Sequence, residues 1–195
     1  MVRTSTRSLF LALLALLAGQ RLLELRLSRR NTARMLQAGG YEHGAGHFRW
    51  MRLLHIAWFG ATAAEVVIGR RPFRRWLANL ALLVTTLGQC LRYAAIHTLG
   101  PRWTVRVITL PAVRPESSGI YRFIRHPNYL GVVLEIAAVP LVHGAYLTSL
   151  VFSLANALLL YVRIRVEEQA LEAAGPYAES LRDRPRFLPQ WLANI

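Results

Sequence analysis

The sequence predicts an all-α, polytopic membrane protein with about five transmembrane helices, the last two of which form a helical hairpin. Of its 195 residues, 54% are hydrophobic and 17% are charged, which is more apolar than a soluble domain of this length usually is. Apolar runs that approach the roughly 20 residues needed to cross a bilayer recur along the whole chain. The five predicted spans are residues 9–25, 50–68, 76–99, 129–142 and 147–161.

The first and the last spans need separate comment. Arg3 and Arg7 precede the first apolar run, which ends in small residues at Ala18 and Gly19, so it also has features of a signal peptide. A retained helix is favoured because the rest of the chain is apolar as well. The fourth and fifth spans are short, and only residues 143–146 separate them. We therefore expect a tight hairpin whose two arms do not both cross the full bilayer.

Arginine supplies all 24 basic residues and the formal charge of +14. The arginines lie between apolar runs and not on one continuous polar surface, so we interpret them as anchors at the membrane surface and not as a nucleic-acid site. With the N-terminus outside, the predicted cytoplasmic segments hold sixteen arginines and the outer segments six. This distribution favours an outer N-terminus and a cytoplasmic C-terminus, although four arginines between positions 70 and 75 are an exception.

Three charged residues stand out within the apolar spans, where a charge needs a partner or a function. Arg92 and Glu135 lie at similar depths from the same predicted face, so an ion pair between them is plausible. Two roles are open to Glu135: a structural partner of Arg92, or a residue that lines a substrate cavity. Glu65 falls near the outer end of its span, where we expect a solvated helix end.

The sequence predicts no metal site. Cys90 is the only cysteine, which excludes an internal disulfide and a cysteine-based zinc site. His43 and His47 are four residues apart and His55 follows. The glycines between the first two indicate a loop, however, and a single nearby glutamate does not complete a ligand set.

The segment from residue 119 to 131 is a polar, aromatic loop that leads directly into an apolar helix. It reads Gly-Ile-Tyr-Arg-Phe-Ile-Arg-His-Pro-Asn-Tyr-Leu-Gly. Pro127 disfavours a helical backbone at His126 and suits the first turn of a helix itself. Arg125 and His126 are therefore expected at the N-terminus of the fourth helix, where exposed backbone N–H groups can receive an anionic group.

This loop, Gly-x-Tyr followed by Arg-His-Pro-x-Tyr-x-Gly, resembles the signature of the isoprenylcysteine carboxyl methyltransferase family, whose relatives include phospholipid N-methyltransferases. The resemblance covers about 90 residues. It continues downstream at Arg163, Glu167, Glu168, Leu171, Gly175, Tyr177 and residues 186–189. Residues 24–31 also resemble bacterial members that are associated with methylation of long-chain polyketide pyrones.

The resemblance implies a site for S-adenosylmethionine. The residues that would contact this cofactor are Val113, Arg114, Pro115, Glu116, Tyr121, His126, Pro127, Asn128, Tyr129 and Glu167. Arg163 would face the substrate, with Arg163 and Glu167 as the catalytic pair. Their spacing of four agrees independently, because it places both on one helix face. Arg106 and Ser180 depart from the family pattern, which often has Gln and Tyr at these positions.

We accordingly divide the chain into N-terminal transmembrane helices at 1–100 and, at 101–195, a catalytic region with the hairpin and a cytoplasmic tail. The expected reaction is O-methylation of a lipophilic carboxylate or enol, either isoprenylcysteine-like or a long-chain polyketide pyrone. The substrate would enter from the lipid bilayer of a bacterial inner membrane, with the active site facing the cytoplasm and with neither metal nor nucleic acid involved. One alternative is N-methylation of a phospholipid amine, for which Glu135 or His126 would be the base. The other is a non-catalytic membrane protein that retains the fold.

Overall fold

Five helices dominate the computed structural model, which describes residues 2–69, 71–111, 113–175 and 184–187, with only the backbone described for 2–5 and 47. The helices are α1 (Val2–Gln37), α2 (Ala45–Ile68), α3 (Arg75–Leu99), α4 (Pro127–Leu141) and α5 (Tyr146–Ala174). Two short strands, β1 (Tyr41–His43) and β2 (Val107–Thr109), pair antiparallel, with Tyr41 opposite Thr109. The predicted all-α class and the number of helices are confirmed.

Two helices are longer than their apolar runs. α1 continues to Gln37 and α5 to Ala174, well beyond the predicted ends at residues 25 and 161. Hydropathy marks only the part of a helix that suits lipid, whereas a polar extension keeps its backbone hydrogen bonds in water. Both extensions lie at the end of the molecule that carries the loop of residues 119–131, which we call the site end.

By length and composition, three stretches can cross a membrane among the described residues: Thr6–Gln37, Phe48–Ile68 and Tyr146–Ala174. α4 has only 15 residues, or about 22 Å at 1.5 Å per residue, which is short of a hydrocarbon core of roughly 30 Å. α3 is long enough, but it carries polar residues such as Gln89 and Arg92 and is not among these three stretches. The five expected helices are present, and three of them contain a stretch that is both long enough and apolar enough to span a membrane.

Contacts at the opposite end show how the helices alternate. The hydroxyl of Thr6 lies 3.5 Å from Nε2 of His143, and the ring centre of Phe73 lies 5.5 Å from that of His143. The start of α1, the connection from α2 to α3 and the turn from α4 to α5 therefore share one end of the bundle. We call this the distal end.

The predicted hairpin between α4 and α5 is confirmed. Gly144 adopts a left-handed backbone with φ of 74°, and the N–H of Ala145 donates to the carbonyl of Pro140 at 2.9 Å. The expectation of a solvated end at Glu65 is wrong. Its carboxylate accepts the backbone N–H groups of Leu147 at 3.1 Å and Thr148 at 2.7 Å, so it caps the first turn of α5.

α3 and α4 pack closely because two glycines face each other. A Cβ on Gly131 would lie 2.6 Å from the carbonyl oxygen of Gly88 and 2.5 Å from Cγ of Arg92, both far closer than atoms can approach. The absence of side chains at these positions lets Arg92 reach Glu135, with Nε 3.6 Å from Oε1. The predicted ion pair between these residues is confirmed.

Two further charges from α1 complete this buried network. Arg21 pairs with Glu24 at 2.7 Å and with Glu135, and Arg92 also pairs with Glu24. Two arginines and two glutamates balance in charge, which lowers the cost of placing them in an apolar environment. Neither Arg21 nor Glu24 was among the charged residues singled out in the sequence, although their spacing of three at the end of an apolar run indicated a pair.

Candidate active site

The loop that enters α4 is fixed by one glycine and one proline. Gly119 has φ of +52°, and a Cβ there would lie 2.6 Å from the hydroxyl of Thr98 on α3, so the position excludes other residues. Residues Gly119–Arg122 form a 3-10 turn, and α4 begins at Pro127 with His126 before it. The predicted helix start at Pro127 is confirmed.

His126 is buried and held by two neighbours. Its Nε2 lies 3.0 Å from Oε1 of Glu168 on α5, and its ring stacks on Tyr129 with ring centres 5.4 Å apart. The stacking partner is one turn further along α4. His126 is therefore oriented by α5 as well as by its own helix.

Glu168 is the centre of a cluster of four side chains, which we call the Glu168 cluster: Glu168, Arg125, His126 and Arg186. Arg125 pairs with Glu168 at 3.0 Å and Arg186 at 2.6 Å. The backbone N–H of His126 also donates to the carbonyl of Arg186 at 3.1 Å. The C-terminal residues 184–187 are thus fastened to the loop, and Glu168, which the family pattern included without a role, is the residue that joins them.

A second cluster contains Arg163, Tyr129 and Glu167. The hydroxyl of Tyr129 donates to the carboxylate of Glu167 and accepts from Nε of Arg163 at 2.7 Å. Nη2 of Arg163 donates to the carbonyl of Val105 at 2.6 Å. Arg163 is only 6% exposed, so it is held by the protein at the base of the site and does not extend into solvent. Arg163 and Glu167 share one face of α5, as their spacing predicted.

A cavity of about 150 Å³ lies beside this second cluster, and we call it the loop cavity. Six of the ten predicted cofactor residues line it: Val113, Arg114, Pro115, Glu116, Tyr121 and Glu167. The other four, residues 126–129, form the start of α4 next to it. Among these, Oδ1 of Asn128 is buried and has no hydrogen-bond partner within the described part of the chain.

The titration of two cavity residues is shifted. The hydroxyl of Ser118 donates to Glu116 at 2.7 Å, and this hydrogen bond lowers the pKa of the Glu116 carboxyl below its ordinary value, with help from Arg102. Burial raises the pKa of the Tyr121 hydroxyl. The cavity therefore presents a stable carboxylate and a neutral phenol over the physiological range.

An apolar groove of about 400 Å³ runs between α2 and α5 and is called here the α2/α5 groove. Its lining is Trp50, Leu53, Leu54, Ala57, Val151, Phe152, Ala155 and Leu159. Leu159 is one helical turn before Arg163. Met51 of α2 packs against the neighbouring buried cluster of Tyr129, Leu160 and Ile164, so the groove ends close to Tyr129 and Arg163.

Several predicted positions lie elsewhere. Glu135 is 3% exposed and bound by Arg21 and Arg92; it lines neither the loop cavity nor the groove. This arrangement is the structural role that the sequence left open, and a substrate role stays a prediction. Tyr177, Ser180 and residues 188–189 of the family pattern lie outside the described residues.

His43 lies in a strand and His55 in a helix, and each has its own hydrogen-bond partner. His43 is in β1, with Nε2 2.8 Å from the hydroxyl of Thr109, and His55 bonds the carbonyl of Met51 at 2.8 Å. α2 begins at Ala45, so the expectation of a loop through both glycines is wrong. Within the described residues, no three His, Cys, Asp or Glu side chains are grouped as metal ligands. Arg106, which departs from the family pattern, forms an ion pair with Glu42 at 2.7 Å.

This fold and site define a helical integral-membrane protein with a polar cavity at one end and an apolar groove between α2 and α5. Residues 80–173 match the isoprenylcysteine carboxyl methyltransferase (ICMT) family. Over 165 residues, the chain is 36% identical to the uncharacterized protein YpbQ of Bacillus subtilis. This match covers 84% of this chain and 97% of YpbQ. It belongs to the isoprenylcysteine carboxyl methyltransferase family and is an integral-membrane methyltransferase.

Three further similarities are more distant. An uncharacterized protein of Haemophilus influenzae is 26% identical over 157 residues, or 80% of this chain and 91% of that protein. The Protein-S-isoprenylcysteine O-methyltransferase of Mus musculus is 26% identical over 122 residues, covering 62% of this chain and 42% of the mouse protein. A solved structure of a eukaryotic intramembrane Ras methyltransferase of this family matches with a TM-score of 0.49 and 22% identity, over 75% of this chain and 49% of that one.

Proposed function

We propose that this protein transfers a methyl group from S-adenosylmethionine to an oxygen of a lipophilic acceptor, such as an isoprenylcysteine-like carboxylate or the enol of a long-chain polyketide pyrone. One observation carries the proposal. A single face of α5 carries Glu167, which lines the loop cavity, and Arg163, which lies one helical turn beyond the groove residue Leu159. A polar donor and an apolar acceptor can therefore meet at neighbouring residues of one helix.

The residues of the loop cavity fit this cofactor. Glu116 and Glu167 are acceptors for hydroxyl and ammonium groups, and the buried Oδ1 of Asn128 is an acceptor whose partner a ligand would supply. Small-molecule sites usually have about 300–1,000 Å³, more than the 150 Å³ found. The exposed side chains of Val113 and Arg114 at the cavity therefore have to move on binding. When bound, the cofactor supplies an electrophilic methyl group on a sulfonium.

The contribution of the protein is to position and orient the acceptor. A carboxylate or an acidic enol is already ionised near neutral pH, so no strong base is required. The guanidinium of Arg163 carries five N–H donors, and the two hydrogen bonds that it makes to Tyr129 and Val105 leave donor capacity for an oxyanion. Charge-assisted hydrogen bonds of this kind are strong and directional. Alignment of two reactants with water excluded supplies much of the rate enhancement in such a displacement.

The α2/α5 groove offers a path for the apolar part of the acceptor. It opens between two helices that can span the membrane, and Trp50 and Leu53 at its edge are exposed. Between Leu159 at one end of the groove and Arg163 there is one turn, about 6 Å along the helix axis. We infer that a lipophilic molecule enters from the bilayer and presents its oxygen at Arg163.

We also propose that the site end faces the cytoplasm of a bacterium. The arginine distribution supports this orientation, because the site end carries most of the predicted cytoplasmic arginines. Cys90 is the only cysteine, so a Cys90→Ala background permits single reporters. Arg122→Cys at the site end should resist a membrane-impermeant maleimide in intact cells, and Arg74→Cys at the distal end should react. The opposite pattern would reverse the orientation.

The reaction itself is tested with purified protein and with cells. Titration calorimetry in detergent should show binding of S-adenosylmethionine, and lipid extracts from cells with the gene should contain a species heavier by one methylene unit than its counterpart without it. Methylated ethanolamine headgroups in those extracts would instead indicate the N-methyltransferase. No cofactor binding by folded protein would indicate a non-catalytic member of the family.

A further inference from the structure

The buried polar face of α1 does not end at the ion-pair network. Glu24, Ser28 and Asn31 are spaced by four and three residues, which places them on one helix face. They are 8%, 2% and 1% exposed, whereas Leu27 between them is 39% exposed. Glu24 pairs with other helices, as described above. Ser28 and Asn31 lie nearer the site end and need a different explanation.

These two residues bind the backbone of residues 100–105, which follow α3 and begin with a 3-10 turn at Gly100–Arg102. Nδ2 of Asn31 donates to the carbonyls of Gly100 at 3.1 Å and Trp103 at 2.8 Å. The hydroxyl oxygen of Ser28 accepts the N–H of Val105 at 2.9 Å. Side chains of α1 thus bind three backbone groups of this segment, of which the carbonyl of Gly100 also accepts the N–H of Trp103 at 3.1 Å.

The last of these groups belongs to the residue that holds Arg163. Val105 donates its N–H to Ser28 on α1 and accepts Nη2 of Arg163, at 2.6 Å, through its carbonyl. The carbonyl of Val105 and the hydroxyl of Tyr129 are two anchors of the Arg163 guanidinium. The position of the first anchor depends on α1.

We propose that Ser28 and Asn31 are positioning residues for the methyl-transfer site, acting on Arg163 through the backbone of residues 100–105. This inference rests on the proposed function, in which Arg163 orients the acceptor oxygen. Neither side chain lines the loop cavity or the α2/α5 groove, so neither acts by contact with a reactant there. Their hydrogen bonds to residues 100–105 fix the direction of the Val105 carbonyl. This carbonyl in turn fixes the orientation of the Arg163 guanidinium.

A matched pair of variants separates positioning from general stability. Ser28→Ala removes the acceptor for Val105. Ser149→Ala is the control, because Ser149 is also buried and also makes one hydrogen bond to the backbone of another element, to the carbonyl of Ala137 at 2.7 Å. Ser149 lies fourteen residues before Arg163, roughly 21 Å along α5. Both variants lose one buried hydrogen bond, and both should lower the thermal unfolding midpoint to a similar extent.

Kinetics then distinguish the two. Ser28→Ala should lower kcat/KM for the acceptor about tenfold, the effect of roughly one hydrogen bond. Ser149→Ala should retain the wild-type kcat/KM. In an Arg163→Ala background, Ser28→Ala should have no further effect, because its influence passes through Arg163. Independent, multiplying effects of the two substitutions would overturn the proposal, as would wild-type kinetics in Ser28→Ala.

Two additions keep the test decisive. Asn31→Ala loosens the same segment through different hydrogen bonds, and it must show the same non-additivity with Arg163→Ala if Ser28→Ala does not fold. Hydrogen exchange at the Val105 amide does not depend on activity: it should be faster in Ser28→Ala than in Ser149→Ala. If the wild-type protein transfers no methyl group, the proposed function is refuted. The exchange rate of the Val105 amide is then the remaining test of the link between α1 and residues 100–105. An equally protected Val105 amide would then refute the link from α1.

Discussion

The guanidinium of Arg163 engages Tyr129 in two ways: Nε donates to its hydroxyl at 2.7 Å, and Cζ lies 5.5 Å from the centre of its ring. The same hydroxyl donates to Glu167. Tyr129 therefore joins the residue proposed for the acceptor to the residue proposed for the cofactor. The loop that enters α4 and the C-terminal half of α5 form a single site through this side chain.

Replacement of Arg163 by Ala should weaken use of the acceptor and spare the cofactor. We expect kcat/KM for the acceptor to fall about 10- to 150-fold, the equivalent of ~1.5–3 kcal/mol for hydrogen bonds to a charged group. Arg165→Ala, which removes an exposed arginine on the same helix, is the control. Calorimetry should give the same affinity for S-adenosylmethionine in all three proteins. Unchanged kinetics in Arg163→Ala would refute its assignment.

Replacement of Glu167 by Gln should act on the cofactor. Glu167 lines the loop cavity and receives the hydroxyl of Tyr129, so loss of its charge removes a strong acceptor for a cationic ligand. The Kd for S-adenosylmethionine should rise about tenfold, as expected for one charge-assisted hydrogen bond. Glu172→Gln, five residues further along α5 and exposed, should bind as the wild type does. Equal affinities for both variants would remove Glu167 from the site.

The Glu168 cluster should be required for the attachment of the C-terminal segment. Glu168→Ala leaves Arg125, His126 and Arg186 without their shared carboxylate. Breaking a buried ion pair from one side typically costs about 3–5 kcal/mol. We expect a lower unfolding midpoint and faster trypsin cleavage at Arg186. If Glu168→Ala is as stable and as resistant as Glu172→Ala, the cluster does not hold the segment.

The contact between Gly88 and Gly131 should tolerate no side chain. A Cβ on residue 131 would meet a backbone oxygen at 2.6 Å, so α3 and α4 would have to separate and the pair of Arg92 and Glu135 would lengthen. Overpacking of this kind costs about 1–3 kcal/mol. Gly131→Ala should reduce the yield of monodisperse protein in detergent, whereas Gly60→Ala, which has open space around it, should not. Similar yields from the two variants would contradict close packing at this crossing.

Acid should loosen the loop cavity through Glu116. The hydrogen bond from Ser118 lowers the pKa of this carboxyl in the folded protein from its ordinary value of 4.5. Folding therefore favours the ionised form, and the associated stability is complete above pH 4.5 and is lost as pH falls through the lowered pKa. The unfolding midpoint should decline less steeply below pH 4.5 in Glu116→Gln than in the wild type. Parallel pH profiles would show that Glu116 does not contribute.

The order and type of the helices, the hairpin and the start of α4 could be read from the sequence, because they depend on local properties. Apolar length indicates a membrane helix, and a proline after a polar loop indicates its first turn. The family pattern predicts a cofactor segment in the same way, as an ordered string of residues, and that role stays a prediction. The pairing of Arg92 with Glu135 was predictable because both charges lie at one depth in apolar spans.

Only the tertiary structure decided which residues share partners. Glu24, Glu65 and Glu168 each bind groups that are more than fifteen residues away in the chain, and Ser28 reaches Arg163 through the backbone of Val105. A sequence pattern records the spacing within one helix, whereas these contacts depend on how five helices are rotated and how closely they cross. The two facing glycines at positions 88 and 131 show the physical reason: the distance between helices is set by packing at both surfaces together.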